Sequence, residues 1–358
     1  MVSILFNSPF VISIAWIFGL FGVFANMYIF KTVLPQVKAF HKIRSASIGQ
    51  QSSLRRLTQP YSNNKSNRFI GKPAFLILII NLAVSDLMGA LYLLIIACAD
   101  LRFRFITVNF NTTSHLNSSA IYLDWIGSPF CFIARFCNLL STFQSAFIIL
   151  LIAIDRYISV TYPLSVKVRI TPKFATQLLI LGWGLGLSMA CIFSVFASIT
   201  FPPRRSISYQ FHNLCSVDDL AVYYVRFALM LCSFTGIVTY FLILSLYFAT
   251  YYKLRKFIHK NKTDKRSSKK TEWKTLKIGI AIVISNFLAW FPSIICAIAI
   301  NINFKLLLDN IDFLNVLPKI LVLFQVNCSI NPIICFTMIS TLHISQVMCR
   351  HESNCFNV

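Results

Sequence analysis

Asp86 is the charged residue whose position most constrains the chemistry of this chain. It lies near the middle of the apolar run 73–99, where an ionised carboxylate is costly unless a partner balances its charge. Arg135, Arg226 and Lys319 also fall within apolar runs, but they lie toward the ends, where long basic side chains can reach polar surroundings. A buried acid of this kind is expected to have a partner and a function.

The other reactive residue types show no catalytic or metal-binding spacing. The eleven cysteines include no CxxC pair and no Cys/His arrangement typical of a zinc or haem site. The sequence also contains no His/Glu metal pattern and no Ser-His-Asp candidate, so enzyme activity is not expected. Most cysteines are predicted to be small apolar residues within helices.

The segments that hold these residues are apolar enough to require a membrane. The chain is 57% hydrophobic and 12% charged, with a mean hydropathy of +0.70, and a soluble domain of 358 residues could not hide so much apolar surface. Seven segments reach the roughly 20 apolar residues that a membrane-spanning helix needs. The sequence therefore predicts an all-α membrane protein, a seven-helix transmembrane bundle at 1–340. The predicted spans are 8–31, 73–99, 130–154, 174–199, 221–250, 277–300 and 314–339.

The formal net charge of +22 comes from basic residues that cluster in loops between these spans. Such clustering is typical of the cytoplasmic face of a membrane protein rather than of a nucleic-acid-binding surface, so no nucleic-acid partner is expected. Loop 32–72 contains eight Lys and Arg and no acid, and loop 251–276 contains ten against two acids. The N-terminus is therefore predicted to lie outside, and the short C-terminal tail 341–358 inside.

The loops also suggest local roles. Loop 32–72 is polar and basic, which predicts a disordered cytoplasmic insert. Loop 251–276 either contacts anionic lipid or a partner protein, or is a solvated tether, and its composition leaves both readings open. On the outside, Asn111 and Asn117 stand in Asn-x-Ser/Thr triplets and are predicted glycosylation sites.

Several short motifs occur in a fixed order along the predicted spans. Asp155-Arg156-Tyr157 ends the third span, and Cys131 precedes Arg156 by 25 residues. Together the motifs resemble those of rhodopsin-like (class A) G-protein-coupled receptors along the whole chain. The resemblance implies a plasma-membrane receptor that an extracellular ligand switches, with a heterotrimeric G protein and arrestin as partners. The remaining matches are Asn26, 81–87 (NLAVSDL), Trp183, Trp290-Phe291-Pro292 and Asn331-Pro332.

The resemblance assigns a switch role to Asp155, Arg156 and Tyr157. Glu272 lies 20 residues before Pro292, where the family places an acid that holds the arginine in the inactive receptor. A charge contact between spans three and six that breaks on activation would open a cleft for the G protein. The alternative is that Asp155 and Arg156 form an ordinary ion pair at a helix end.

The resemblance also implies a cation site at the buried acid. Asp86 would face Ser145, Asn327 and Asn331 and hold a sodium ion, the one cofactor expected, because oxygen ligands suit a hard cation. The alternative is a protonated Asp86 that is hydrogen-bonded to the asparagines without an ion.

Cysteine and proline positions carry further implications of the resemblance. Cys131 and Cys215 would form a disulfide on the oxidising outer side. Pro292 would kink the sixth span and give it a pivot. Cys349 and Cys355 are either palmitoylated or free thiols.

Some features resemble the leucine-rich-repeat receptor branch, which includes the glycoprotein-hormone and relaxin receptors. The chain departs from that branch because few residues precede the first span, loop 32–72 is long, and Cys335 replaces the tyrosine of the NPxxY motif. The resemblance favours a peptide or protein hormone as ligand, with Arg135 and Gln144 as candidate pocket residues. A non-signalling receptor relic is the main alternative, and a transporter is less favoured. The resembling segments are 91–97 (LYLLIIA) with Asp100, Asp124-Trp125 before Cys131, and Asn286-Phe287 before Trp290.

Overall fold

The computed structural model is all-α within the residues it describes. Seven helical stretches are long and apolar enough to cross a membrane, which confirms the predicted seven-helix bundle. The described residues are 5, 8–54, 72–109, 124–162, 169–200, 214–216, 223–260, 266–303 and 310–337. The helices are α1 (Pro9–Leu54), α2 (Lys72–Asn109), α3 (Pro129–Thr161), α4 (Pro172–Thr200), α5 (Tyr223–Lys260), α6 (Arg266–Ile302) and α7 (Ile311–Phe324).

The seventh span is interrupted. A turn at Gln325 and Val326 separates α7 from a last helix at 327–337, which we call α8. The apolar span Asn315–Thr337 includes parts of both helices. The interruption places Gln325 inside the bundle, where it is 4% exposed, so its polar groups need partners from neighbouring helices.

Several helices continue well beyond the predicted membrane boundaries, and this corrects two loop predictions. Residues 32–54, predicted as part of a disordered insert, belong to α1, although its apolar span ends at Ala39. Most of loop 251–276 is helical too, because α5 ends at Lys260 and α6 begins at Arg266. Extending an existing helix costs much less than nucleating one, so polar composition marks where a helix leaves the membrane and not where it ends.

Helix starts on the two sides of the bundle use the same local chemistry. Ser128 caps α3, its Oγ accepting the Cys131 N–H at 3.2 Å, and Pro129 follows it. Thr171 precedes Pro172 at the start of α4, and its Oγ1 accepts the Phe174 N–H at 3.2 Å. A hydroxyl cap satisfies a free N–H, and a proline in the first turn has no N–H to satisfy.

Two large apolar clusters form most of the described core, one toward each end of the bundle. We call the end that holds Cys131 and Cys215 the disulfide end, and the end that holds Asp155 and Arg156 the arginine end. The disulfide-end cluster includes buried residues of α2, α3 and α8 together with Leu5, which has no exposed surface. The arginine-end cluster joins α1, α2 and α3 to Tyr247 of α5. Polar side chains lie between and around these clusters.

Candidate functional site

Asp86 of α2 is buried in the bundle and both of its carboxylate oxygens accept hydrogen bonds. Its side chain is only 2% exposed. Ser145 Oγ of α3 donates to Oδ1 at 2.7 Å, and Asn331 Nδ2 of α8 donates to Oδ2 at 3.0 Å. Two of the three partners predicted for Asp86 therefore contact it directly, and the carboxyl group connects α2, α3 and α8.

Serine hydroxyls extend the polar contact on the α3 side. Ser85 Oγ lies 3.1 Å from Ser145 Oγ and donates to the Ser141 carbonyl at 3.1 Å. Ser85 has no exposed surface. Ser145 donates its one hydroxyl proton to Asp86 and Ser85 donates its own to the Ser141 carbonyl, so both serines bond α2 to α3 beside the buried carboxylate.

Asn286 links this centre to α6. Its Nδ2 donates to Asn331 Oδ1 at 3.3 Å, and its Oδ1 accepts a bond from Asn327 Nδ2. Asn327, predicted to face Asp86, is thus joined to it through hydrogen bonds of Asn286 and Asn331. We call Asp86, Ser145, Asn286, Asn327 and Asn331 the central polar network.

The sequence analysis did not assign Asn286 to the site. It used this residue only as a feature of family resemblance, although a polar amide within an apolar span is itself a signal, because it must find a partner inside the bundle. Asn286 is 2% exposed. What the sequence could not give is the identity of that partner.

The central polar network offers oxygen atoms that suit a hard cation. Asn327 Oδ1 is buried with no hydrogen-bond partner among the described residues, and burying an unpaired carbonyl oxygen carries a free-energy cost. The Asp86 carboxylate and the Ser145 hydroxyl provide further oxygens. Asn331, by contrast, turns its amide nitrogen toward Asp86, so it positions the carboxylate and does not present an oxygen to it.

Asn26 supplies a hydrogen bond that α8 lacks because of Pro332. Pro332 has no N–H, so the Cys328 carbonyl four residues earlier lacks its usual helical donor. Asn26 Nδ2 of α1 donates to that carbonyl at 2.9 Å. The first-span asparagine and the seventh-span proline therefore form one contact, which fixes α8 against α1.

The arginine end holds a compact charge pair. Asp155 is 2% exposed, and its Oδ2 accepts bonds from Arg156 Nε at 3.0 Å and from Arg156 Nη2. The guanidinium also lies over the Phe75 ring of α2, 4.3 Å from its centroid. Tyr157 is half-buried beside the pair. The Asp155 carboxylate and the Phe75 ring therefore both stabilise the guanidinium.

The contact between Arg156 and Glu272 is not tested by the structure. Glu272 belongs to α6, but its side chain lies outside the described part of the chain. The charge contact between α3 and α6 stays a prediction.

Cys335 packs as an apolar residue at the arginine end. Its side chain is 3% exposed and belongs to the same cluster as Tyr247 of α5. A thiol makes weak hydrogen bonds only, so Cys335 fills space where a tyrosine would bring a phenol.

Aromatic contacts surround the predicted pivot of α6. Trp290 stacks on Phe324 of α7, with ring centroids 5.9 Å apart. Pro292 lies within α6, two residues after Trp290. On the other side of the bundle, Trp183 Nε1 donates to Asn81 Oδ1 at 2.9 Å and ties α4 to α2. Both tryptophans predicted from the sequence therefore make contacts between helices.

The disulfide end contains the predicted Cys131–Cys215 bond, which the structure confirms with a Cα–Cα distance of 5.5 Å. Tyr92 of α2 adds a second tie, because its hydroxyl donates to the Leu214 carbonyl at 2.9 Å. Leu5 N–H donates to Asp100 Oδ1 at 3.0 Å. The segment around Cys215 is thus fixed to both α2 and α3.

Between the disulfide end and the central polar network lies a second set of buried polar residues. Gln325 Nε2 donates to Asn138 Oδ1 and, at 3.3 Å, to Thr142 Oγ1 of α3. Arg135 and Gln144, the two candidate pocket residues, are 4% and 1% exposed. A ligand would reach their polar groups only after these helices separate.

Four predicted modification sites fall outside the described residues. These are the glycosylation sites Asn111 and Asn117 and the palmitoylation candidates Cys349 and Cys355.

Comparison with known proteins agrees with this architecture. Residues 67–335 match the family described as 7 transmembrane receptor (rhodopsin family). The chain is 24% identical to the follicle-stimulating hormone receptor of Rattus norvegicus over 255 residues, which cover 71% of the chain and 32% of that receptor. It is 26% identical to melanopsin-A of Danio rerio over 276 residues, 75% of the chain and 43% of melanopsin-A.

A shorter match reaches higher identity. The chain is 33% identical to the galanin receptor type 2 of Mus musculus over 98 residues, which cover 27% of the chain and 25% of that receptor. In all three cases the match spans less than half the relative's length. The similarity to the follicle-stimulating hormone receptor is consistent with the resemblance to the leucine-rich-repeat branch.

Proposed function

The chain belongs to the rhodopsin family of seven-transmembrane receptors and is a multi-pass protein of the plasma membrane; from this premise we propose that it converts the binding of an extracellular ligand into activation of a heterotrimeric G protein. The disulfide end then faces outward and the arginine end faces the cytoplasm. Arrestin, which binds the same side of related receptors, is the second expected cytoplasmic partner. No catalytic activity is expected.

The observation that carries this proposal is the continuity of the central polar network. It runs from Asp86 of α2 through Asn331 of α8 to Asn286 of α6. A ligand that shifts α7 and α8 at the disulfide end would change the position of Asn331, and with it the bond that restrains α6. Movement of α6 at the arginine end opens the cleft that a G protein needs.

We propose a sodium ion as a regulator of the same network. The oxygens of Asp86, Ser145 and Asn327 would hold it, and Asn331 would orient the carboxylate. When bound, the ion supplies a positive charge that balances Asp86 inside the membrane. The unpartnered Asn327 oxygen supports this reading over a protonated Asp86 without an ion, which leaves that oxygen unsatisfied.

A peptide or protein hormone is the favoured class of ligand. Two of the relatives are named as receptors, one for follicle-stimulating hormone and one for galanin. The buried Arg135, Asn138 and Gln144 offer hydrogen-bonding groups and a positive charge on α3, while α3 carries no acid between Pro129 and Ile154 that would pair with an amine ligand.

Substitution of Arg156 tests the proposal. Arg156→Ala and, as a matched control, Lys38→Ala are expressed in cells, and G-protein activation is measured both without stimulus and with candidate peptide ligands. Lys38 is an exposed cation of α1 at the same end of the bundle. We expect Arg156→Ala to change basal or evoked activation at equal surface expression and Lys38→Ala to leave both unchanged. Equal activation by Arg156→Ala and the wild type would exclude the switch role.

A receptor that binds ligand without signalling is the second candidate, and Cys335 is the observation that favours it. Cys335 packs beside Tyr247 in an apolar cluster and cannot form the phenol contact available to a tyrosine. If ligand binding is measurable while neither basal nor evoked G-protein activation is, in the wild type as in Arg156→Ala, the non-signalling reading replaces the proposal.

A further inference from the structure

A cleft between α3 and α4 at the arginine end has no role in the switch described above. Its volume is about 450 Å³, within the range of small-molecule sites in proteins. One wall comes from α3, with Leu151, Ile154 and Ile158, and the other comes from α4, with Phe174 and Leu178. These side chains are aliphatic or aromatic, so an occupant must present an apolar body to them.

One end of the cleft is polar and cationic. Arg169 and Thr171, which precede α4, complete its lining. The Thr171 hydroxyl already accepts the Phe174 N–H as a helix cap. The Arg169 guanidinium is therefore the group that gives the cleft its charge, and none of the described residues that line it is acidic.

The acid closest in sequence to the α3 wall is already engaged. Asp155 follows Ile154 in the chain, but its carboxylate accepts bonds from Arg156. The cleft thus combines an apolar body with a positive end, and a complementary ligand has an apolar chain and an anionic head.

The cleft also lies where such a molecule is abundant. Only 28% of the residues in the most apolar 18-residue stretch of α4 are buried, and the Phe174 side chain is 50% exposed. This face of the bundle therefore contacts the bilayer. Under the proposed orientation the arginine end is in the cytoplasmic leaflet, which is rich in anionic phospholipids. A guanidinium suits phosphate because it can donate two parallel hydrogen bonds.

We propose that the α3–α4 cleft is a binding site for an anionic phospholipid. One acyl chain occupies the space between Ile154, Ile158 and Leu178, and the phosphate binds Arg169. The site lies on the outer surface of the bundle and is separate from the central polar network.

Photocrosslinking in nanodiscs tests the site. The full chain is reconstituted in phosphatidylcholine that contains either a phosphatidylserine with a diazirine on its acyl chain or a phosphatidylcholine with the same diazirine. Labelled residues are identified by peptide mass spectrometry. Both leaflets of a nanodisc contain the probe, so the result does not depend on the orientation of the chain or on its signalling.

Three variants give the matched comparisons. Arg169→Gln removes the charge, Arg169→Lys keeps it, and Lys173→Gln removes an exposed charge nearby on α4 that does not line the cleft. One basic residue near an anionic lipid contributes on the order of 1 kcal/mol, so Arg169→Gln is expected to lower labelling of the cleft by phosphatidylserine about fivefold. Arg169→Lys is expected to fall between Arg169→Gln and the wild type, because lysine keeps the charge but not the two parallel hydrogen bonds. Lys173→Gln is expected to stay near the wild-type level. The thermal unfolding of each variant establishes that it is folded.

Other outcomes would overturn the proposal in distinguishable ways. Equal labelling by the two probes would mean that the cleft takes a neutral lipid. Labelling elsewhere on α3 and α4, with none in the cleft, would mean that the cleft does not take a lipid chain. Unchanged labelling in a folded Arg169→Gln variant would mean that the charge does not select the lipid.

Discussion

The two halves of the bundle differ in how much of their apolar surface contacts protein. In the most apolar 18-residue stretch of α2, and likewise of α3, 61% of the residues are buried inside the bundle. The corresponding values for α5 and α6 are 11% and 22%. All four spans have almost the same mean hydropathy, 2.0 to 2.2. Equal hydropathy therefore accompanies very different packing, because lipid and protein core are both apolar surroundings.

This difference suggests that one half of the bundle stays fixed while the other half moves. Asp86, Ser145 and the disulfide partner Cys131 all belong to α2 and α3, which form the fixed part. Among the described residues, Asn286 of α6 bonds to Asn327 and Asn331 of α8, and Asn331 in turn bonds to Asp86 of the fixed part. Few polar bonds therefore need to change for α6 to move. The predictions below test this contrast between a fixed half and a movable half.

The largest expected effect comes from adding a methyl group where helices touch. A Cβ at Gly22 would lie 2.6 Å from Ser329 Oγ and 2.8 Å from the Ala90 Cβ, whereas a Cβ at Gly236 of α5 would meet nothing closer than 3.9 Å. We expect Gly22→Ala to destabilise the bundle by about 1–3 kcal/mol because overpacking forces α1, α2 and α8 apart. Gly236→Ala should be neutral or slightly stabilising, because alanine favours helix more than glycine does.

Thermal unfolding of the purified variants in detergent measures both effects. Similar destabilisation by the two substitutions would mean that α5 packs as tightly as α1, and the contrast between the halves would be wrong.

A middle-sized effect is expected at the link between the halves. Asn286→Ala removes the bonds from α6 to Asn327 and Asn331. Hydrogen bonds between membrane helices contribute about 1 kcal/mol, so the active population and the basal G-protein activation should change about fivefold. Asn301→Ala is the matched control, because the Asn301 amide bonds to the Ala297 carbonyl of its own helix.

Basal activation at equal surface expression measures this effect. If Asn286→Ala behaves like Asn301→Ala, the bond to α6 does not restrain the movement of that helix.

The smallest expected effect comes from sodium in the fixed half. At a concentration about three times its Kd, an ion that binds only the folded state stabilises it by about 0.8 kcal/mol, or roughly 2 °C in Tm. Replacing sodium chloride with choline chloride at constant ionic strength should reverse the shift. Asp86→Asn should abolish it, because the amide lacks the negative charge that the ion balances.

Potassium chloride separates ion selectivity from a general salt effect. Equal shifts with sodium and potassium, or a shift that survives in Asp86→Asn, would contradict a sodium site at Asp86.

The family motifs predicted several contacts correctly. Cys131 and Cys215 form the expected bond, and Ser145 and Asn331 lie beside Asp86. These predictions were correct because a cysteine on the outer side pairs with another cysteine, and a buried carboxylate requires hydrogen-bond donors close to it. Asn286 was not recognised as part of the site, since an amide bonds equally well to many partners and its sequence position does not select one.

The loop predictions were less successful, and for a different reason. Residues 32–54 belong to a segment whose polar and basic composition was interpreted as disorder, yet they continue α1, and the first of them, up to Ala39, still lie in its apolar span. Composition determines whether a segment lies in lipid or in water. Whether the backbone stays helical in water depends also on the helix it extends.

The sequence by itself determined that the chain is a bundle of seven membrane helices, because the length and hydropathy of each span are properties of consecutive residues. It also determined which polar residues must be buried within those spans. Only the tertiary structure decided that α2 and α3 form the centre while α5 and α6 flank it, that Asn286 joins Asn327 and Asn331, and that Arg169 borders a cleft. Spans that are apolar on every side do not reveal which face meets lipid and which meets another helix, so neighbours are settled only when the helices pack.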